Sequence, residues 1–133
     1  MPIKYRTKSK IDKINTENQV KYYAVPIRSG EINIKTIAKD LARMSSLSIG
    51  DVYATLIGMI PLIEQYLHAG YSVRLDGLGI FTISASSEGF ENPKDCLPRR
   101  VKAKKICFRA DTELKKNLKF IKFEQDKKDK KDK

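Results

Sequence analysis

The chain has 133 residues, one domain's worth, with 41% hydrophobic and 32% charged residues and a net charge of +11. Its only cysteines, Cys96 and Cys107, and its single histidine, His68, lack metal-ligand spacing, so no zinc site is expected and both thiols read as reduced. No apolar run reaches about 18 residues, so no membrane span is expected.

The charge is unevenly placed. Residues 1–30 carry seven Lys/Arg against two acids, residues 31–93 four against seven, and residues 94–133 sixteen against seven. Cationic ends around an anionic middle favour a polyanionic partner: nucleic acid, a membrane surface or an acidic protein. A lysine-rich surface with a basic tail is the plainer alternative.

Residues 1–17 are polar and basic, without the apolar core of a secretory signal, and a cytoplasmic location follows by default. Ile3 and Tyr5 fit an edge strand or a mobile arm. Residues 19–28 are richer in β-formers, and Pro26 confines that strand to an edge or ends it early. Ser29-Gly30 marks a turn.

The first helix is predicted over about Ile34–Met44. Asn33 is its N-cap, and Ile34, Ile37, Ala38, Leu41 and Met44 form its inner face. Ser48-Ile49-Gly50-Asp51 has the form of a capping box that opens a second helix. There Val52, Leu56, Met59, Ile60, Ile63 and Leu67 make one apolar stripe, widened by Tyr53, Ile57 and Leu62. A stripe this wide predicts burial on two sides, by its own subunit and by a second copy. Pro61 predicts a kink near Ile57–Pro61, with two shorter helices as the alternative. Gly70 closes the helix.

Tyr71, Val73 and Leu75 alternate with polar residues as in a strand. Asp76-Gly77 starts a tight turn, and Ile80 to Ser84 returns as the second strand. Residues 85–98 form a long connection punctuated by Gly89, Pro93 and Pro98. A third strand is predicted from about Arg99 to Phe108. Its cations Arg100, Lys102 and Lys104 fall in step with Ile106 and Phe108, and a bulge near Lys104–Lys105 would separate the two sets. The last helix opens near Asp111 or Thr112, with Leu114, Leu118 and Ile121 inside. Residues 124–133 are low-complexity and expected to be disordered. This gives a basic extension with an edge strand over 1–30, a domain over 31–123 and a Lys/Asp tail.

These residues resemble the HU and integration-host-factor family of histone-like proteins, in particular its extended HU-HIG branch. SLSIGDVYATL resembles the start of the family's second helix. GYSVRLDGLGIFTI resembles its helix stop and first hairpin, and VKAKKICFRADTELKKNL its third strand and closing helix. Together they span about residues 33–122, and KYYAVPI resembles the branch's N-terminal addition. The resemblance implies an α+β, IHF-like fold: two helices, a three-stranded sheet bearing a β-ribbon arm, and a C-terminal helix. It also implies an obligate dimer whose two arms follow the DNA minor groove. Pro93 stands roughly where the family places a wedging proline. The family's arm carries several arginines, whereas the outgoing limb here, Ser84 to Glu91, has no cation.

The expected function is sequence-tolerant binding of double-stranded DNA by a nucleoid-associated homodimer. Arg74, Lys94, Arg99, Arg100, Lys102, Lys104, Lys105 and Arg109 are the candidate phosphate contacts. Pro93 is the candidate wedge, with an ordinary loop turn as its alternative. Val52, Leu56, Met59, Ile60, Ile63 and Leu67 are the candidate dimer interface. Two rival readings are a scaffold protein that kept the fold with weak DNA affinity, and an RNA binder. No enzyme, cofactor, metal or small-molecule substrate is expected, because no nucleophile, base and metal set lies in the sequence and GLG at 77–79 lacks a nucleotide-loop pattern.

Overall fold

Two capping residues start the two long helices. In the computed structural model, which describes residues 1–11 and 20–127, Asn33 is extended and its Oδ1 accepts the Thr36 N–H at 3.0 Å. Helix α1 follows over Ile34–Met44. Ser48 Oγ accepts the Asp51 N–H at 3.2 Å, and helix α2 runs over Ile49–His68 with Asp51 in its first turn. It continues through Pro61 as a single element, so the two-helix alternative falls.

The end of α2 is a full Schellman motif. Gly70 N–H donates to the Leu67 carbonyl at 3.1 Å and Tyr71 N–H to the Tyr66 carbonyl at 3.0 Å. Gly70 takes φ +94°, and the rings of Tyr66 and Tyr71 meet edge to face at 6.1 Å. Helix α1 packs on α2, where Ala38, Val52 and Leu67 are the buried apolar side chains among the described residues.

Strands β3 (Val73–Leu75), β4 (Gly79–Ser86) and β5 (Lys102–Ala110) form an antiparallel sheet in the order β3-β4-β5. The hairpin between β3 and β4 turns at Gly77, φ +86°, with Leu78 N–H on the Leu75 carbonyl at 2.9 Å. Gly79 is buried because the Phe108 ring and the Arg109 carbonyl occupy the space a side chain would take. The pairing of β4 with β5 shifts between Ser84 and Ala85, leaving Lys104 as the extra residue of a bulge.

A second sheet holds β1 (Ile3–Ile11), β2 (Val20–Pro26) and β6 (Phe123–Gln125) in the order β2-β1-β6. Strand β1 is antiparallel to β2 and parallel to β6. The chain divides into two compact units, residues 1–31 with 117–133 and residues 32–116. In class it is α+β, with three α-helices and two sheets among the described residues.

Four expectations change. The N-terminal segment supplies two strands, and β1 is the middle one; the edge belongs to β2, which ends at Pro26. The third main-sheet strand begins at Lys102, because Pro98–Arg100 forms a 3-10 turn with its proline at the start. The closing helix α3 is one turn, Thr112–Lys115, followed by a 3-10 turn over Lys116–Phe120. Leu114 and Leu118 lie exposed there, so no apolar stripe is buried to extend the helix. Phe123–Gln125 belongs to a strand that pairs with Ile3, Lys4 and Tyr5, where a tail was expected from 124 on. The expected disorder of the last six residues lies outside the described residues.

Candidate nucleic-acid interface

Register partners across antiparallel strands project to the same side of a sheet. Arg74 pairs with Ile80 and Ile80 with Arg109; Ser84 pairs with Lys105 and Ser86 with Lys102. These residues therefore share one face. The other face carries Val73, Phe81 and Phe108 in one row, then Ile83 with Ile106 and Ala85 with Ala103. Phe81 and Phe108 pack at 4.9 Å between ring centroids. The bulge at Lys104 produces this division: without it, Lys102 would stand with Ile106 and Phe108.

Lys94, Arg99 and Arg100 lie beyond the last paired rung, Ser86 with Lys102. Lys94 sits in a 3-10 turn, Pro93–Asp95, whose cap Asn92 accepts the Lys94 N–H through Oδ1 at 3.2 Å. Pro93 is exposed and opens that turn. Arg99 and Arg100 close the next turn, and the Arg100 guanidinium lies 5.2 Å from the centre of the Phe90 ring. With Lys102, Ser86, Ser87 and Glu88 they line an open cleft of about 640 Å3. The paired ribbon thus stops at Ser86 and Lys102, and turns cover the stretch where a longer arm was expected.

The eight candidate cations fall into three sets. Lys102, Lys105 and Arg109 stand exposed on one face of the sheet. Lys94, Arg99 and Arg100 are carried by the turns, and Lys104 occupies the bulge. Arg74 shares the sheet face but is engaged: its Nη1 donates to Asp111 Oδ1 at 3.1 Å. Asp111 Oδ2 also accepts the Gly77 N–H at 3.0 Å. Of the two openings expected for the last helix, Asp111 or Thr112, Asp111 is the N-cap residue of α3, but its carboxylate bonds no helix amide and instead ties the hairpin to the end of β5.

The six apolar candidates on α2 also divide. Val52 and Leu67 are buried within the chain itself, and Leu56 and Ile63 are half-buried. Met59 and Ile60 are exposed, together with Tyr53, Ile57, Leu62 and Tyr66. One cationic row was missed in choosing candidates. Arg6, Lys8 and Lys10 alternate along β1, and that alternation is visible in the sequence itself.

No curated protein matches the sequence. Among solved structures, a Bacteroides vulgatus protein provisionally named as a bacterial DNA-binding protein superposes with a TM-score of 0.64 at 11% identity. That match covers 92% of this chain, which spans only 47% of the Bacteroides chain. The Anabaena HU–DNA cocrystal structure superposes with a TM-score of 0.50 at 18% identity, over 65% of this chain and 97% of that one. At these identities the likeness is one of fold. The family described as an HU domain fused to a winged helix-turn-helix, Ig or glycine-rich motif matches residues 1–125. The chain belongs to this HU-HIG family of HU-like proteins.

Proposed function

We propose that this protein binds double-stranded DNA with little sequence preference, as a homodimer joined through α2. The observation that carries the reading is the common face of Lys102, Lys105 and Arg109, opposite Phe81, Ile106 and Phe108, which Lys102 joins through the bulge at Lys104. Cations on one side and apolar groups on the other suit a sheet with phosphates before it and protein behind it. Lysine and arginine on phosphates release condensed counterions, orient the protein on the duplex and read no bases. The HU–DNA neighbour and the family support the DNA partner. Exposed Tyr53, Ile57, Met59, Ile60, Leu62 and Tyr66 on one helix support a second copy as its cover. Pro93, exposed at the start of its 3-10 turn, remains the candidate wedge.

The test titrates a duplex of about 30 base pairs, roughly three helical turns. Affinity is read between about 50 mM and about 200 mM salt for the wild type and for Arg99→Gln/Arg100→Gln/Lys102→Gln. The wild type should lose affinity steeply with salt. The variant should bind more weakly, with a log–log slope shallower by about 0.9 for each phosphate contact removed. Equal binding by the variant would favour a scaffold role for the fold, and preferential competition by single-stranded RNA would favour an RNA partner.

A further inference from the structure

Strand β1 places Lys4, Arg6, Lys8 and Lys10 at alternate positions, so all four project to one face. Strand β2 adds to that face through its register. Lys8 pairs with Tyr23, Lys10 with Lys21 and Arg6 with Val25. The opposite face carries Tyr5, Thr7, Ser9 and Ile11 against Pro26, Ala24, Tyr22 and Val20, with no charged residue. Glu124, opposite Lys4 on β6, is the acid that the register brings to the cationic face. Arg6, Lys8 and Lys10 are exposed, and none of the ion pairs among the described residues involves them.

Among the described residues, β1 pairs from Arg6 to Ile11 with β2 alone, so this part of the sheet is a two-stranded antiparallel ribbon. We propose that the Arg6–Lys8–Lys10 face of this ribbon is a second surface for the phosphates of duplex DNA, separate from the Lys102–Arg109 face. The inference rests on the reading that the protein binds duplex DNA.

Three features favour that occupant. Alternate residues on a strand repeat about every 6.8 Å, so Arg6, Lys8 and Lys10 form a straight row of charge about 14 Å long. A duplex offers such a row a continuous line of phosphates, whereas a small anion would meet only one or two of the cations. A two-stranded ribbon is also narrow enough to enter the major groove of B-form DNA, about 12 Å wide. Tyr23, half exposed between these cations, offers a hydroxyl to a phosphate oxygen.

The test compares four full-length proteins on the same duplex across the same salt range: wild type, Arg6→Gln/Lys8→Gln/Lys10→Gln, Arg99→Gln/Arg100→Gln/Lys102→Gln, and Lys35→Gln/Lys39→Gln/Arg43→Gln. The last removes equal charge from α1. Circular dichroism and thermal melting establish that each is folded. The ribbon variant should have a slope shallower by up to about 2.7, from about 0.9 per contact, and the α1 variant should match the wild type. Wild-type affinity and slope in the ribbon variant, with the Arg99/Arg100/Lys102 variant impaired, would overturn the second surface and leave the DNA-binding reading intact. Equal losses in the ribbon and α1 variants would overturn it too, by reducing the effect to net charge. A ribbon variant that loses only binding to anionic lipid vesicles would assign the face to a membrane and overturn the proposal. A wild type that ignores duplex at low salt overturns both readings.

Discussion

Arg74 and Asp111 are 37 residues apart in sequence, and the guanidinium Nη1 lies 3.1 Å from the carboxylate Oδ1. The second carboxylate oxygen holds the Gly77 N–H at 3.0 Å, and the Asp111 N–H donates to the Leu78 carbonyl at 2.9 Å. One residue at the end of β5 therefore fastens both the strand and the turn of the β3–β4 hairpin. The Arg74 side chain is about half exposed, so the ion pair alone contributes no more than about 1 kcal/mol. The bond from the Gly77 amide to a charged acceptor contributes more, about 1.5–3 kcal/mol. Asp111→Ala should lower the unfolding free energy by about 2 kcal/mol, and Asp111→Asn by less because it retains an acceptor. Urea denaturation checks this; equal midpoints for Asp111→Ala and wild type would show the clamp to be idle.

The same contact sets the rank of Arg74 among the candidate DNA contacts. A guanidinium already facing a carboxylate gains less from a phosphate than one facing water. Arg74→Gln should therefore change the salt dependence of DNA affinity less than Lys102→Gln does. Asp111→Asn should strengthen binding, with a slope steeper by at most about 0.9 as one cation is released to the phosphates. A weaker complex with Asp111→Asn, at unchanged fold, would show that the pair serves binding as a unit.

Gly79 is required by contact. A Cβ built there would lie 2.6 Å from Cε2 of Phe108 and would also meet the Arg109 carbonyl. Phe108 packs against Phe81 on one side only, but the Arg109 carbonyl belongs to the paired backbone of β5 and cannot yield without disturbing the strand pairing. Gly79→Ala should destabilise the main sheet by about 1–3 kcal/mol, the usual cost of overpacking. Gly89→Ala is the control, since nothing lies within 4 Å of a Cβ there. Thermal melting of the pair should show a drop only for Gly79→Ala.

Local features of this fold were legible, and long-range ones were not. Asn33, Ser48 and Gly70 announced the ends of α1 and α2 because caps act within three or four residues. The bulge was legible from parity, since cations and apolar groups on one strand cannot share a face that is part buried. The short α3 was not: Leu114, Leu118 and Ile121 have helical spacing, but spacing does not reveal whether a surface exists to bury them. Strand β6 was hidden for a related reason. Its three residues pair with Ile3, Lys4 and Tyr5 more than a hundred positions earlier, and nothing in EQDKKDK signals that partner. Among candidate site residues, sequence located the cations of β5 but not the engagement of Arg74, which depends on the fold bringing Asp111 to it.

Helix α2 leaves Ile57 and Ile60 exposed one turn apart. In an isolated chain, Ile60→Asp would remove little packing and change stability by about 0.5 kcal/mol or less, as at an ordinary surface site. In a dimer closed over this helix it would bury an unpaired charge and separate the subunits. Light scattering should give the dimer mass for wild type and the monomer mass for Ile60→Asp. A wild-type monomer at the same concentration would remove the homodimer from the proposed function.

Lys104 offers a direct test of what the bulge contributes. Ser84 pairs with Lys105 and Ala85 with Ala103, so deleting Lys104 brings Ala103 and Lys105 into regular succession. The deletion keeps Lys102, Lys105 and Arg109 on their common face while removing one cation and the added local twist. If the bulge matters only because it keeps the cations apart from Ile106 and Phe108, the shortened protein should fold normally. Its DNA affinity should then lose at most about 0.9 in salt slope, the share of one phosphate contact. If the bend itself aims the ribbon, binding should fall far more than a Lys104→Gln substitution explains. Measuring both variants on one duplex separates the charge of Lys104 from the geometry it imposes.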